Sequence, residues 1–283
     1  MRLTKRPQKQ SKEDLEKRYE LPQVGLDQPV PFELEFRTAQ SIGMERTHNE
    51  DALFALRLTS QNSDTPLKAG IFMVADGMGG HLNGQLASTC AIQTASACLF
   101  QDVTELLKDD PGTQGVAGML QKAVDAAQTE VLDKVPGGGT TLTVALILHN
   151  QLTFAHVGDS RLYLFRDDGK MTLLTHDHSL VKRLVDLGQI SPAEASVHPQ
   201  RNVLFRALGQ TEAFKVDIDS MPLSNPCLLM LCSDGLWGQV TDEQILEILR
   251  QHQFDVDACE NLVEAANQLG GSDNISVILV KIS

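Results

Sequence analysis

The chain has 283 residues, 42% of them hydrophobic and 22% charged, which excludes disordered, collagen-like and disulfide-scaffold classes and leaves apolar material for a sizeable core. A formal charge of -13 makes nucleic acid an unfavourable partner and a cation a favourable one. No apolar run approaches the ~20 residues a membrane helix needs, and the N-terminus lacks a secretory apolar stretch, so no membrane partner is expected.

Residues 1 to 31 are polar and contain proline, and are expected to form a mobile arm, with at most a short helix from Lys12 to Tyr19. The first 18 residues carry net +4, leaving -17 for the rest, so the arm is suited to an acidic surface. A single domain is expected over 32–283, because no repeat or long linker interrupts it. Strands are predicted over Glu33 to Gln40, Ala52 to Leu58 and Gly70 to Ala75. Long helices are predicted over Gln85 to Phe100 and Gly115 to Val135, with KDDPGTQG as the loop between them. Four short β-like runs follow at meander spacing: Thr141 to Leu148, Leu152 to Val157, Arg161 to Phe165 and Met171 to Leu174. Ser179 to Leu187 reads as a short helix, and Ser191-Pro192 opens another turn of helix. Strands return at Phe214 to Ile218 and Cys227 to Cys232. Helices follow from Thr241, with Gln244 completing a capping box, and over Val256 to Leu269; a strand over Ile275 to Ile282 closes the chain. This order favours an α+β architecture of antiparallel sheets covered by helices. Cys90, Cys98, Cys227, Cys232 and Cys259 lie in apolar segments without metal spacing, and read as free thiols in a reducing cytoplasm.

Four aspartates stand at the ends of strand-like runs beside small residues: Asp76 in VADGMGG, Asp159 in HVGDSR, Asp234 in LCSDGLWG and Asp273 in GGSDNIS. A single Asp-Gly is usually a turn. Four of them, with Glu50 and Asp51 in RTHNED, would repel one another on converging unless cations neutralised them, and oxygen-only clusters suit Mg²⁺ or Mn²⁺ over Zn²⁺. Two ions about 3.5 to 4 Å apart can activate a water and clamp both oxygens of an in-line displacement. Arg46, in the same loop as Asp51, is either a phosphate holder or a surface salt bridge. His81 is either a proton donor or a backbone partner, and His48, His156, His176, His178 and His198 read as structural or exposed. No GxxxxGK[ST], GxGxxG or GxSxG is present, so phosphate-loop and serine-hydrolase chemistry have no anchor, and Thr140 and Thr141 read as strand-entry residues.

The ordered set RTHNED, VADGMGGH, GGGTTLTVAL, HVGDSR, DHSLVKRLVDLGQISPAEASVHPQRNVLFRALG, LCSDGLWG and GGSDNISV resembles the metal-dependent PP2C (PPM) family of protein Ser/Thr phosphatases, bacterial branch, over residues 36 to 283. The resemblance implies a four-layer α/β/β/α sandwich with a binuclear Mn²⁺ or Mg²⁺ site at one edge. Carried over, Asp76 bridges the ions, the Gly77 carbonyl binds one, and Asp234 and Asp273 complete the other. Glu50 and Asp51 hold metal-bound water or contact a metal, Asp159 shares a weaker third ion with Asp234, and Asn274 supports the ligands. A water activated by the ions attacks a phosphoserine or phosphothreonine while Arg46 holds the phosphate, and no phosphoenzyme forms. Residues 174–208 resemble the family's flap beside the active site. Eukaryotic members have a proton-donating histidine where this chain has Met78, leaving His81 as the nearest donor; bacterial members often have Glu where this chain has Gln85. The implied partners are phosphoproteins and a bacterial Ser/Thr kinase, with the enzyme a monomer in the cytoplasm. An inactive binding module of the same fold and a small-phosphoester hydrolase are the alternatives.

Overall fold

The computed structural model describes residues 33–60, 67–79, 82–106, 112–166, 168–212 and 215–283. The arm at 1–31, its short helix and His81 lie outside the described residues.

Two five-stranded antiparallel sheets form the centre. One contains β1 (Leu34–Ser41), β12 (Ile275–Ile282), β11 (Cys227–Cys232), β8 (Arg161–Arg166) and β9 (Met171–Leu173), in that spatial order. The other runs β10 (Asp217–Pro222), β7 (Gln151–Val157), β6 (Leu142–Leu148), β3 (Leu67–Ala75) and β2 (Ala52–Ser60). A small ribbon pairs β4 (Gly77–Met78) with β5 (Gly139–Thr140).

Side-chain alternation explains why the central strands are apolar throughout. In β3, Ile71 and Met73 face a helix-covered core, while Phe72 and Val74 face the other sheet, so both faces are dry. The inter-sheet layer joins Phe72, Val74, Ala145 and Ile147 to Leu164, Leu229, Leu231, Ile278 and Val280. Complete burial of such a side chain contributes about 1.5–3 kcal/mol, and the Phe72 ring also meets Phe36 edge-on at 5.5 Å.

Helices α1 (Leu82–Leu106) and α2 (Gly112–Lys134) cover the outer face of the β3 sheet. Ala87, Ala91 and Ala95, spaced four apart, give α1 a smooth buried stripe that lets it lie close to Ala69, Ile71 and Met73. Short helices α3 (Leu180–Asp186) and α4 (Pro192–Ser196) lie in the 174–208 region, and a helical turn α5 (Asp234–Trp237) follows β11. Helices α6 (Asp242–Gln251) and α7 (Ala258–Gln268) cover the second sheet through Ile245, Leu249, Leu262 and Ala266. The Thr241/Gln244 capping box starts α6 as predicted. The layers are therefore helix, sheet, sheet, helix.

Four local readings differ from the sequence expectation. The expected meander is two hairpins in different sheets, because the chain crosses between them at Gly158, whose φ of +114° only glycine adopts without strain. GTQG belongs to α2 rather than to a loop. The strand expected from Phe214 is β10, beginning at Asp217, where pairing with His156 of β7 sets the register; 213–214 lie outside the described residues. Asp234 is the first residue of a helical turn rather than a loop residue, with Ser233 at its N-cap.

Candidate active site

Arg46, Glu50, Asp76, Gly77, Asp159, Asp234, Asp273 and Asn274 all line one cleft of about 220 Å³. They arrive from five places in the chain: the loop after β1, the junction of β3 with β4, the turn after β7, the helical turn after β11 and the loop before β12. Of the other predicted site residues, Asp51 lies behind the cleft and is not among its lining, and His81 is outside the described residues.

Asp76 follows β3 and is held by two threonines at the entry to β6. Its N–H donates to Thr141 Oγ1 at 2.8 Å, and its carbonyl accepts from Thr140 Oγ1 and from the Thr141 N–H, both at 2.9 Å. Thr140 and Thr141 thus enter a strand, as expected, and also orient the backbone of Asp76. Gly77 has to be glycine: a Cβ there would meet the Gly84 carbonyl oxygen at 2.2 Å and the Glu50 carbonyl oxygen at 2.5 Å.

The RTHNED loop is fastened by Asn274. Its Nδ2 donates to the carbonyls of Ile42 at 3.0 Å and His48 at 2.8 Å, and its Oδ1 accepts from the Glu50 N–H at 2.8 Å. One buried amide thereby ties Glu50 and the backbone on both sides of Arg46 to the loop of Asp273. Arg46 reaches back, donating from Nη2 to Asp273 Oδ2 at 2.7 Å. Partial burial works against the Arg46 charge, but the bond and charge of Asp273, with Glu50 and Asp234 beyond, hold its pKa above the ordinary arginine value.

Asp51 is buried, its Oδ2 accepting from Ser233 Oγ and Ser276 Oγ, each at 2.7 Å. Burial pushes its pKa up to about 7 against those two hydrogen bonds, with the charges of Asp234 and Asp273 adding to the rise. Burial also raises Asp234 to about 6, helped by Asp273; hydrogen-bonding contact with Asp76 opposes it. Asp76 and Asp159 are raised well above the carboxylate range, first by burial and then by their acidic neighbours: Asp51, Asp234, Asp159 and Asp273 act on Asp76, and Asp234 and Asp177 on Asp159.

These groups fit a hard divalent cation. The Oδ1 atoms of Asp51 and Asp234 are buried without a hydrogen-bond partner, and the acidic side chains raise one another's proton affinity, so positive charge would relieve the whole group. Among the described residues no three acidic, histidine or cysteine side chains form a ready-made cage.

Sequence reasoning missed several contributors. Asn202 and Leu204 enter the cleft from the 174–208 region, and Met78 lines it from β4. Ser233 and Ser276, which hold Asp51, lie in the quoted motifs LCSDGLWG and GGSDNISV and carried no signal beyond being small and polar.

The protein phosphatase 2C family model matches residues 37–184. The chain belongs to this family. It is 38% identical over 255 residues to the serine/threonine phosphatase stp of Listeria innocua, covering 87% of this chain and 94% of that one. The crystal structure of the Mycobacterium tuberculosis serine/threonine phosphatase PstP/Ppp superposes with a TM-score of 0.72 at 35% identity, covering 88% of this chain and 98% of that one. A structure of the PstP catalytic domain in complex with 2 manganese ions superposes at 0.70 and 32% identity, covering 89% and 99%. The PP2C chain is accordingly a metal-dependent serine/threonine phosphatase of bacterial type, with Mn²⁺ or Mg²⁺ as its cofactor. Among the described residues no helix is long and apolar enough to cross a membrane.

Proposed function

We propose that this cleft hydrolyses phosphoserine and phosphothreonine in proteins at a binuclear Mn²⁺ or Mg²⁺ centre. The observation that carries the proposal is the convergence of Asp76, Asp159, Asp234 and Asp273 on one cleft whose lining also contains Arg46. Asp76, the Gly77 carbonyl, Asp234 and Asp273 would hold the two ions, Glu50 and Asp51 would support them or their waters, and Asp159 with Asp234 would hold a third. When bound, such ions supply a Lewis acid and an activated water nucleophile.

The protein's own part is positioning and charge. Arg46 offers a planar fork to two phosphate oxygens and is brought to the cleft by its bond to Asp273. The paired serines fix the orientation of Asp51, and the threonine pair fixes the backbone at Asp76. His81 is the proposed donor of the proton that the departing serine or threonine oxygen requires. A cleft of about 220 Å³ is below the ~300–1,000 Å³ usual for drug-sized ligands, which suits a phosphorylated side chain entering from a protein surface. In this reading, carried from the family, the enzyme acts as a cytoplasmic monomer opposite a bacterial serine/threonine kinase.

Asp234→Asn tests the assignment. The variant is expected to keep its circular dichroism and to lose metal-dependent hydrolysis of a phosphothreonine peptide. Unchanged turnover in a folded variant would refute the proposal.

A further inference from the structure

Arg161 opens β8 two residues after Asp159, a position from which an arginine can reach solvent at little cost. Instead its side chain is largely buried. Its Nε and Nη2 donate as a fork to Asp177 Oδ1 and Oδ2 at 3.0 and 2.7 Å. Its Nη1 donates to the Tyr163 hydroxyl at 2.9 Å, and that hydroxyl donates to Asp242 Oδ1 at 3.1 Å. The guanidinium carbon lies 3.7 Å from the centre of the Trp237 ring. Burying a cation is costly unless its partners are well placed, and none of these contacts is with a residue that lines the cleft.

The partners indicate what the buried charge accomplishes. Trp237 closes the helical turn that begins at Asp234, and its Nε1 donates to the Asp159 carbonyl at 3.1 Å. Asp177 belongs to the root of the 174–208 region. Its neighbour His178 is fastened to the other sheet: the His178 Nδ1 accepts from the Gly158 N–H at 3.0 Å, and its Nε2 lies 3.0 Å from Asp217 Oδ2. Asn202 and Leu204 of the same region enter the cleft. One guanidinium therefore touches the strand that follows Asp159, the turn that carries Asp234 and the base of the segment that supplies the cleft's remaining wall.

We propose that Arg161 is a positioning residue for the phosphatase reaction, holding Asp159, Asp234 and the 174–208 region in one register through Trp237 and Asp177. This rests on the reading of Asp159 and Asp234 as ion ligands.

The test uses the full chain and Mn²⁺ as the probe. Arg161→Lys keeps the charge but loses the fork and the planar stack. Trp237→Phe keeps a ring under Arg161 and loses the N–H to Asp159. Each variant is expected to need about tenfold more Mn²⁺ for half-saturation by calorimetry, the scale typical of residues that orient ligands. Excess Mn²⁺ should restore most of kcat on a phosphothreonine peptide, which damage to folding would not allow. The double variant should be no worse than the worse single one, because both act along the same path. Trp237 is the only tryptophan in the chain, so its emission offers an independent view of Mn²⁺ uptake in the unaltered protein and in Arg161→Lys. Should Arg161→Lys fail to fold, Asp177→Asn removes the fork from the other side and is expected to shift Mn²⁺ demand likewise. Folded variants with unaltered Mn²⁺ half-saturation and kcat, or effects that add in the double variant, would overturn the proposal. Failure of the unaltered protein to take up Mn²⁺ would overturn the ligand assignment on which it stands.

Discussion

Arg46 and Asp273 lie 227 residues apart in sequence, yet Nη2 of the first donates to Oδ2 of the second at 2.7 Å. The pair joins the loop after β1 to the loop before β12 and places a guanidinium against a carboxylate of the cleft. Arg46→Ala is expected to lower kcat/KM for a phosphothreonine peptide on the order of 10²-fold, the loss typical when a charge-stabilising donor is removed from a reaction centre. Mn²⁺ uptake should persist, since the carboxylates stay in place. Steady-state kinetics with parallel calorimetry separates the two effects, and equal loss of both would place Arg46 among the structural residues of the loop.

Metal uptake should release protons in a pH-dependent way. Asp51 and Asp234, raised to about 7 and about 6, hold protons that a divalent ion must displace. Release is therefore expected to be larger at about pH 6 than at about pH 8, where both groups are already ionised. In the metal-free protein the same shifts favour the native state at lower pH. Between the ordinary aspartate value of 3.8 and the folded values it binds more protons than the unfolded chain, so this contribution is lost as pH rises through about 6 to 7. Buried His156, lowered to about 3, acts in the opposite direction below 6.5, which makes proton release the cleaner measurement. Calorimetry in buffers of different ionisation enthalpy reads it, and release that is flat with pH would contradict the assignment.

Asn274 makes three hydrogen bonds to backbone in the RTHNED loop from a nearly inaccessible position. Asn274→Ala leaves the Glu50 N–H and two carbonyls without this partner, at a cost of about 1–3 kcal/mol for each group that stays buried and unsatisfied. The variant should show a lower denaturant midpoint and, because Glu50 and Arg46 lose their anchorage, a kcat/KM reduced more than its stability alone explains. A melt indistinguishable from the unaltered protein would remove Asn274 from the account.

Much of this organisation was legible in the primary structure, for identifiable reasons. Asp76, Asp159 and Asp234 follow apolar strands and Asp273 precedes one, each beside glycine or serine, and that local pattern survives folding because strand ends deliver their loops to a sheet edge. GIFMVA reads as a buried strand because β3 is covered on both faces. The split of the meander between two sheets was illegible, since the crossing at Gly158 and Asp159 has the same glycine and serine composition as a hairpin turn. The roles of Asn202 and Arg161 were hidden for another reason. Asn202 lies in a segment without strand patterning and Arg161 at the mouth of a predicted strand, and only long-range contacts with the cleft or with Trp237 reveal what each does.

The cleft is expected to bind paired divalent ions through Asp76, Asp234 and Asp273. Crystals grown with Mn²⁺ and measured at the manganese absorption edge test it most directly. At least two anomalous peaks are predicted in the cleft, two of them in contact with Asp76 and one of those completed by Asp234 and Asp273, with any third, weaker peak at Asp159 and Asp234. A fully occupied Mn²⁺ data set without a peak touching Asp76 and Asp234, or with manganese bound only elsewhere on the protein, would contradict it.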